Sequence, residues 1–105
     1  MRIMLACALG MSTGMLVEKM RAAAEAQNKE YEIWAVDTSS VAKNRGNFDV
    51  LLLGPQVSYI WEEFKEEYGD EVPVEVIKPI DYGRMNGAAV LKMAEDLHAA
   101  FTVKK

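Results

Sequence analysis

Cys7 is the one side chain in this sequence whose type and surroundings suggest covalent chemistry. It follows a short apolar run, Ile3-Met4-Leu5-Ala6, and precedes Ala8, Leu9, Gly10, Met11, Ser12, Thr13 and Gly14, a stretch containing two glycines and two hydroxyl residues. A thiol at the end of a buried strand, ahead of a helix, lies at the positive end of that helix's dipole. Consecutive backbone N–H groups in such a turn can point inward and hold an anion. The same donors favour a thiolate, which is the nucleophilic form of cysteine. The pattern suits a sulfur that receives a phosphoryl group while the amides of residues 8–14 bind its three oxygens. Gly10 and Gly14 are expected to permit turns that a Cβ would hinder. Ser12 has two readings, hydroxyl donor to the phosphoryl group or helix N-cap, and Thr13 is read as an amide contributor rather than a hydroxyl donor. A cysteine alone after a strand is more often a small core hydrophobe. The glycine- and hydroxyl-bearing turn that runs straight into a helix tips the reading towards chemistry.

What is missing narrows that chemistry. With one cysteine in the chain, a disulfide, a dithiol redox pair and a cysteine-rich metal site are excluded. No lysine follows the last glycine, against a nucleotide-binding loop, and no acidic cluster ends the first strand. No metal or cofactor is expected. Cysteine phosphatases resemble this layout but place an arginine six residues after the cysteine, where it clamps phosphate and stabilises the transition state. Here that position is Thr13. Rapid transfer to water is poorly supported.

The rest of the chain must position this loop. At 105 residues, 50% apolar and 27% charged, it reads as one domain spanning 1–105 that can fill a single core. A net charge of −4 argues against nucleic-acid binding, which needs a basic stripe. No apolar run approaches the ~20 residues that span a bilayer, and the apolar part of the N-terminus is too short for a signal peptide. A cytoplasmic protein is expected. Ile3 to Ala6 is continuously apolar and predicts a strand covered on both faces. Helical spacing from Met15 to about Gln27 follows, with Ser12 or Thr13 as the cap. Tyr31 to Val36 alternates, as an edge strand does. One or two helical turns are expected between Asp37 and Asn47, capped by Ser39 or Ser40 and stopped by Gly46. Phe48 to Leu53 is the clearest buried strand, and Gly54-Pro55 opens a helix over Gln56 to Tyr68. Val74 to Ile77 is a short strand. A loop through Pro79, Asp81, Tyr82 and Gly83 then leads to Asn86, the cap of a last helix whose stripe is Val90, Met93, Ala94, Leu97 and Phe101. Strands alternating with helices predict an α/β fold: a small open four-stranded parallel sheet, order 2-1-3-4, with helices on both faces. Ligands of such sheets bind beyond the C-terminal strand ends, where Cys7 falls.

Met4-Leu5-Ala6-Cys7-Ala8-Leu9-Gly10-Met11-Ser12-Thr13 resembles the start of the IIB component of the sugar phosphotransferase system, lactose/cellobiose type. Asp49-Val50-Leu51-Leu52-Leu53-Gly54-Pro55-Gln56-Val57-Ser58-Tyr59 resembles that family's second signature, and Tyr82-Gly83-Arg84-Met85-Asn86-Gly87 a third. The likeness covers nearly the whole chain, and the first two motifs are the specific ones. The family often carries a Ser-Ala-Gly or Ala-Ala-Gly run after the cysteine, where this chain has the bulkier Leu9. The resemblance implies a phosphocarrier in which Cys7 accepts a phosphoryl group from a phosphohistidine on a IIA protein. It implies that the group then passes to a sugar bound by a membrane IIC partner, through which the chain associates peripherally with the membrane. The fold it implies resembles that of low-molecular-weight tyrosine phosphatases. Two other readings compete: a hydrolase of that phosphatase type, and a non-catalytic regulatory domain that binds a small anion.

Other residues are weighed against plainer roles. Gln56, at the end of the third strand, either approaches the loop or is a polar residue of a helix's first turn. Tyr82 is a candidate for lining the site, whereas Asp81 reads as a solvated loop residue. Met11 and Leu9 could offer an apolar contact to a docking protein. Trp34, Trp61 and His98 read as structural, and Glu62, Glu63, Glu66 and Glu67 as a solvated helix face. We expect a monomer.

Overall fold

A computed structural model describes residues 1–8 and 11–104, with only the backbone described for Met11, Ser12 and Lys104. Four parallel strands, β1 (Arg2–Cys7), β2 (Glu32–Asp37), β3 (Val50–Leu53) and β4 (Val74–Val76), form one sheet in the order β2-β1-β3-β4. The helices are α1 (Met11–Ala26), α2 (Trp61–Tyr68), α3 (Pro79–Gly83) and α4 (Gly87–Lys104). The expected topology is the observed one, with β1 central and β2 at one edge.

The sheet separates two cores. On one face Ile3, Leu5, Val50 and Leu52 pack with Leu16, Val17, Met20 and Ala24 of α1 and Val90, Leu91 and Ala94 of α4. On the other, Met4, Ala6, Leu51 and Leu53 pack with Val41, Phe48, Val57 and Tyr68. Alternate residues of β1 and β3 therefore serve opposite layers, which is why those strands read as unbroken apolar runs. Trp34 and Trp61 pack against the second core, and the Trp61 indole donates to the Val74 carbonyl at 3.0 Å.

Several local expectations are corrected. Helix α1 begins at Met11, a turn before the apolar periodicity does, so Ser12 and Thr13 stand inside its first turn rather than capping it. Gly14 is likewise helical, has no positive φ, and a Cβ there would meet nothing within 4 Å. Its backbone does not demand glycine. Between β2 and β3 lie two short 3₁₀ turns, Thr38–Ser40 and Ala42–Asn44. Asp37, not Ser39 or Ser40, caps the first, its carboxylate accepting from Ser39 N–H at 3.0 Å. Gly46 does supply the positive φ of +88° that its turn requires. The segment after β3 is a 3₁₀ stretch, Pro55–Ile60, kinked at Val57 before α2 starts. Pro79 to Gly83, expected as loop, is the short helix α3 with Pro79 in its first turn, where the missing N–H costs nothing. Asn86 caps α4 as expected, accepting from Ala89 N–H at 3.1 Å.

Candidate functional site

Cys7 closes β1 at the C-terminal end of the sheet, paired in register with Asp37 on β2. On its other side β3 has ended, and Gly54 donates its N–H to the Ala6 carbonyl at 2.9 Å. A Cβ on Gly54 would stand 3.2 Å from Cys7 Cβ and 2.7 Å from Gln56 Oε1. Glycine here leaves room beside the cysteine, and the Gln56 side chain folds back over that gap. Gln56 is an exposed polar residue in the first turn after β3, with its Oε1 beside the same gap.

Thr13 comes down onto the sulfur from the first turn of α1. Its hydroxyl donates to Cys7 Sγ at 2.8 Å and lies 3.0 Å from the Tyr82 hydroxyl. Read from sequence as an amide contributor rather than a hydroxyl donor, Thr13 also turns its fully buried side chain onto the sulfur. Starting the helix at Met11 is what turns this residue inward. Tyr82 reaches the same point from α3, where Tyr82 N–H bonds the Lys78 carbonyl at 3.0 Å. The sequence brought Tyr82 to the site without showing how it would act. Asp81, half-buried beside it, makes no bond to this group.

Cys7 itself is only 2% exposed. Any group that reacts with this sulfur must first uncover it. Of the expected anion cradle, Leu9 and Gly10 lie outside the described residues, as do the side chains of Met11 and Ser12. The hydroxyl role of Ser12 and the apolar contact from Leu9 and Met11 therefore fall beyond what is described.

Two glycines and a backbone kink that residue-by-residue reading overlooked hold the site in place. Gly54 is the first. Gly87 opens α4 so close to α1 that a Cβ would lie 2.4 Å from the backbone carbonyl carbon of Lys19. Just before it, Met85 takes a φ of +52°, unusual for a residue with a side chain. Together with Asn86 these fix the turn that delivers Tyr82. Their signal was present as the motif Tyr82-Gly83-Arg84-Met85-Asn86-Gly87, but only the packing says what each residue does.

Three large apolar side chains are exposed on the segments that follow the strands. Tyr59 is 80% exposed, and Met15 and Ile80 are each 58% exposed. They lie on the segments that leave β3, β1 and β4 respectively, all at the end of the sheet that holds Cys7. Among the described residues no group of three metal-ligating side chains occurs.

Comparison with known proteins gives a consistent result. The family described as PTS system, Lactose/Cellobiose specific IIB subunit matches residues 2–93. The PTS system galactose-specific EIIB component of Lactococcus lactis subsp. cremoris is 46% identical over 101 residues, covering 90% of this chain and 94% of that protein. The cellobiose-specific EIIB component of Lactococcus lactis subsp. lactis matches to the same extent, 46% over 101 residues, with the same coverage of 90% and 94%. Among solved structures, the cellobiose-specific phosphotransferase IIB component protein from Borrelia burgdorferi superposes with a TM-score of 0.80 at 36% identity, covering 95% of this chain and 93% of that one.

Proposed function

The chain belongs to the lactose/cellobiose-specific IIB family of the sugar phosphotransferase system, and on that premise we propose that Cys7 is the residue that carries the phosphoryl group. The protein is a phosphotransferase component of sugar transport, a phosphocarrier whose partners are IIA and IIC components. In the first half-reaction the Cys7 thiolate attacks the phosphorus of a phosphohistidine on IIA. The S–P bond forms, the N–P bond breaks, and the imidazole keeps the electron pair. In the second, a hydroxyl oxygen of the sugar bound by IIC attacks the same phosphorus. The O–P bond forms, sulfur leaves as thiolate, and the hydroxyl proton passes to a base on the acceptor side.

Such a transfer needs in-line geometry and donors for three equatorial oxygens, with little covalent work left to the protein. In this proposal the backbone N–H groups of residues 8–14 are those donors, and Gln56 is close enough to add its amide. No arginine stands in the loop. The phosphocysteine lacks the fixed cation that drives hydrolysis in cysteine phosphatases, and it persists until an acceptor arrives. Met15, Tyr59 and Ile80 form the rim that both partners meet in turn. The chain works in the cytoplasm and reaches the membrane through IIC; no helix among the described residues is long and apolar enough to cross one. The relatives named for galactose and for cellobiose are equally similar to this chain, in keeping with sugar choice residing in IIC.

The observation that carries the proposal is the position of Cys7 at the C-terminal end of the central strand, bonded by a buried hydroxyl. Intact mass after incubation with a phosphorylated cognate IIA protein tests it. The parent chain gains one acid- and base-characterised phosphoryl group, and Cys7→Ala gains none. Phosphorylation of Cys7→Ala, or rapid release of phosphate without a sugar acceptor, would overturn it.

A further inference from the structure

The three groups Tyr82, Thr13 and Cys7 form a chain whose direction can be deduced. A threonine hydroxyl has one proton to give and can also accept. Thr13 gives its proton to Cys7 Sγ at 2.8 Å. Its contact with the Tyr82 hydroxyl at 3.0 Å must then be one in which Tyr82 donates. Both proton positions follow: Tyr82 to Thr13, Thr13 to sulfur. When the sulfur instead carries a proton and donates it, Thr13 accepts and its own proton is free to turn towards Tyr82.

We infer that Tyr82 is a positioning residue for Cys7, acting through Thr13 to hold a donor hydroxyl on the sulfur whenever the sulfur is ionised. The inference deepens the phosphocarrier reading and rests on it. The same donor serves both half-reactions, since sulfur is a thiolate before attack and again when the S–P bond breaks. Hydrogen bonds to a charged acceptor are stronger than neutral ones, and linked hydroxyls polarise one another in a buried site. Tyr82 supplies this without adding a charge, in a loop that has no arginine to do so.

The other groups facing the sulfur leave the hydroxyl chain in control. From β2 the register partner is Asp37, but its carboxylate is engaged by the Ser39 N–H and hydroxyl, both at 3.0 Å. β3 contributes Leu53 and Gly54, and α3 carries Asp81 next to Tyr82. Gln56 is neutral. The buried Tyr82 is held here by the constrained turn at Met85 and Gly87.

Because the chain has one cysteine, alkylation by iodoacetamide, followed by intact mass across a pH series, reports this sulfur alone. A looser site raises or lowers the alkylation rate at every pH, whereas loss of a donor to the thiolate moves the profile along the pH axis. Tyr82→Phe, which keeps the ring and its packing, is expected to displace the profile to higher pH. Thr13→Val should displace it further, and Thr13→Ser should restore the parent profile. Circular dichroism of each variant confirms that the full chain is folded. A Tyr82→Phe profile that superimposes on the parent's overturns the inference, as does a Thr13→Ser profile that matches Thr13→Val. Phosphorylation by IIA is measured separately. If Cys7 accepts no phosphoryl group, the functional reading fails whatever the pH profiles show.

Discussion

The two ends of the sheet are built from different interactions. At the N-terminal end, ion pairs tie successive segments together. Arg2, opening β1, pairs with Asp49 ahead of β3 at 3.0 Å. Lys29 and Tyr31, ahead of β2, both bond Glu95 of α4. Arg45 bridges Glu67 and Glu71 and lies 5.0 Å from the Tyr68 ring. At the C-terminal end the closest contacts are uncharged: a hydroxyl chain ending on sulfur, two glycines in tight places, and three exposed apolar side chains. The contrast fits a carrier. Among the described residues the hydroxyl that bonds the sulfur is uncharged, and Asp37, its register partner, is engaged by Ser39; the ion pairs of the far end hold the fold.

If the reactive end depends on close packing, then a wedge there should do the most damage. Gly87→Val places a branched side chain against the Lys19 backbone, which cannot swing aside as a flexible side chain would. Overpacking of this kind costs about 1–3 kcal/mol. For a domain of this size that lowers the melting temperature by roughly 4–8 °C per kcal/mol. Phosphoryl transfer should fall with it, because α4 and the turn carrying Tyr82 move together. Lys92→Ala, which removes the exposed pair with Asp96 on the same helix, is the matching control and should change neither quantity. A Gly87→Val protein as stable as the parent would show that α1 and α4 are not held this closely.

The sequence foretold the frame better than the site, for a physical reason in each case. Topology followed from alternating strand and helix patterns, and β3 from an unbroken apolar run, since both are written in side-chain type. The start of α1 was misjudged by a turn because residues 11–14 show no apolar periodicity, and with it went the role of Thr13. A helix boundary shifted by one turn decides whether a hydroxyl caps a helix or faces the sulfur. Gly54 and Gly87 were visible as letters within motifs, yet what they make room for comes from elements 47 and 68 positions away: Cys7 and Lys19. No local pattern carries that information. The fold-back of Gln56 over Gly54 was open from sequence for the same reason.

The apolar rim offers a milder way to sharpen the contrast between the ends. Tyr59, Ile80 and Met15 are exposed and lie outside the two cores, so replacing all three with serine should leave the melting temperature nearly unchanged. Aromatic and large apolar side chains at a docking surface often contribute over 1 kcal/mol each. The triple variant should therefore accept phosphoryl groups from IIA at a rate reduced by about tenfold or more at low protein concentration, and approach the parent at saturating donor. That split separates docking from chemistry. Equal loss at saturation would mean that the substitutions had disturbed Cys7 itself.

The smallest effect belongs to the charged end and appears only in acid. Asp49 is held below the usual carboxylate range chiefly by its hydrogen bond from the Arg2 side chain, against the opposing effect of burial. Burial pushes Glu95 up, yet the hydrogen bonds from Lys29 and Tyr31 bring it below its ordinary value. In both cases the unfolded chain binds protons more readily than the folded one. Their contribution to stability is thus complete above the unfolded carboxylate range near ~4 and is lost as pH falls through the lower folded values. The Arg2 and Asp49 side chains remain 42% and 29% exposed, so solvent screens the pair and the effect is modest. Urea midpoints measured from neutral pH down to acid should fall for the parent and fall less steeply for Asp49→Asn, which starts lower and has one fewer group to protonate. Alkylation of Cys7 near neutral pH should be the same in both proteins, because the pair sits at the opposite end of β1. A changed alkylation rate in Asp49→Asn would mean that the two ends are coupled through the central strand, and that the division between a charged scaffold and an uncharged reactive end does not hold.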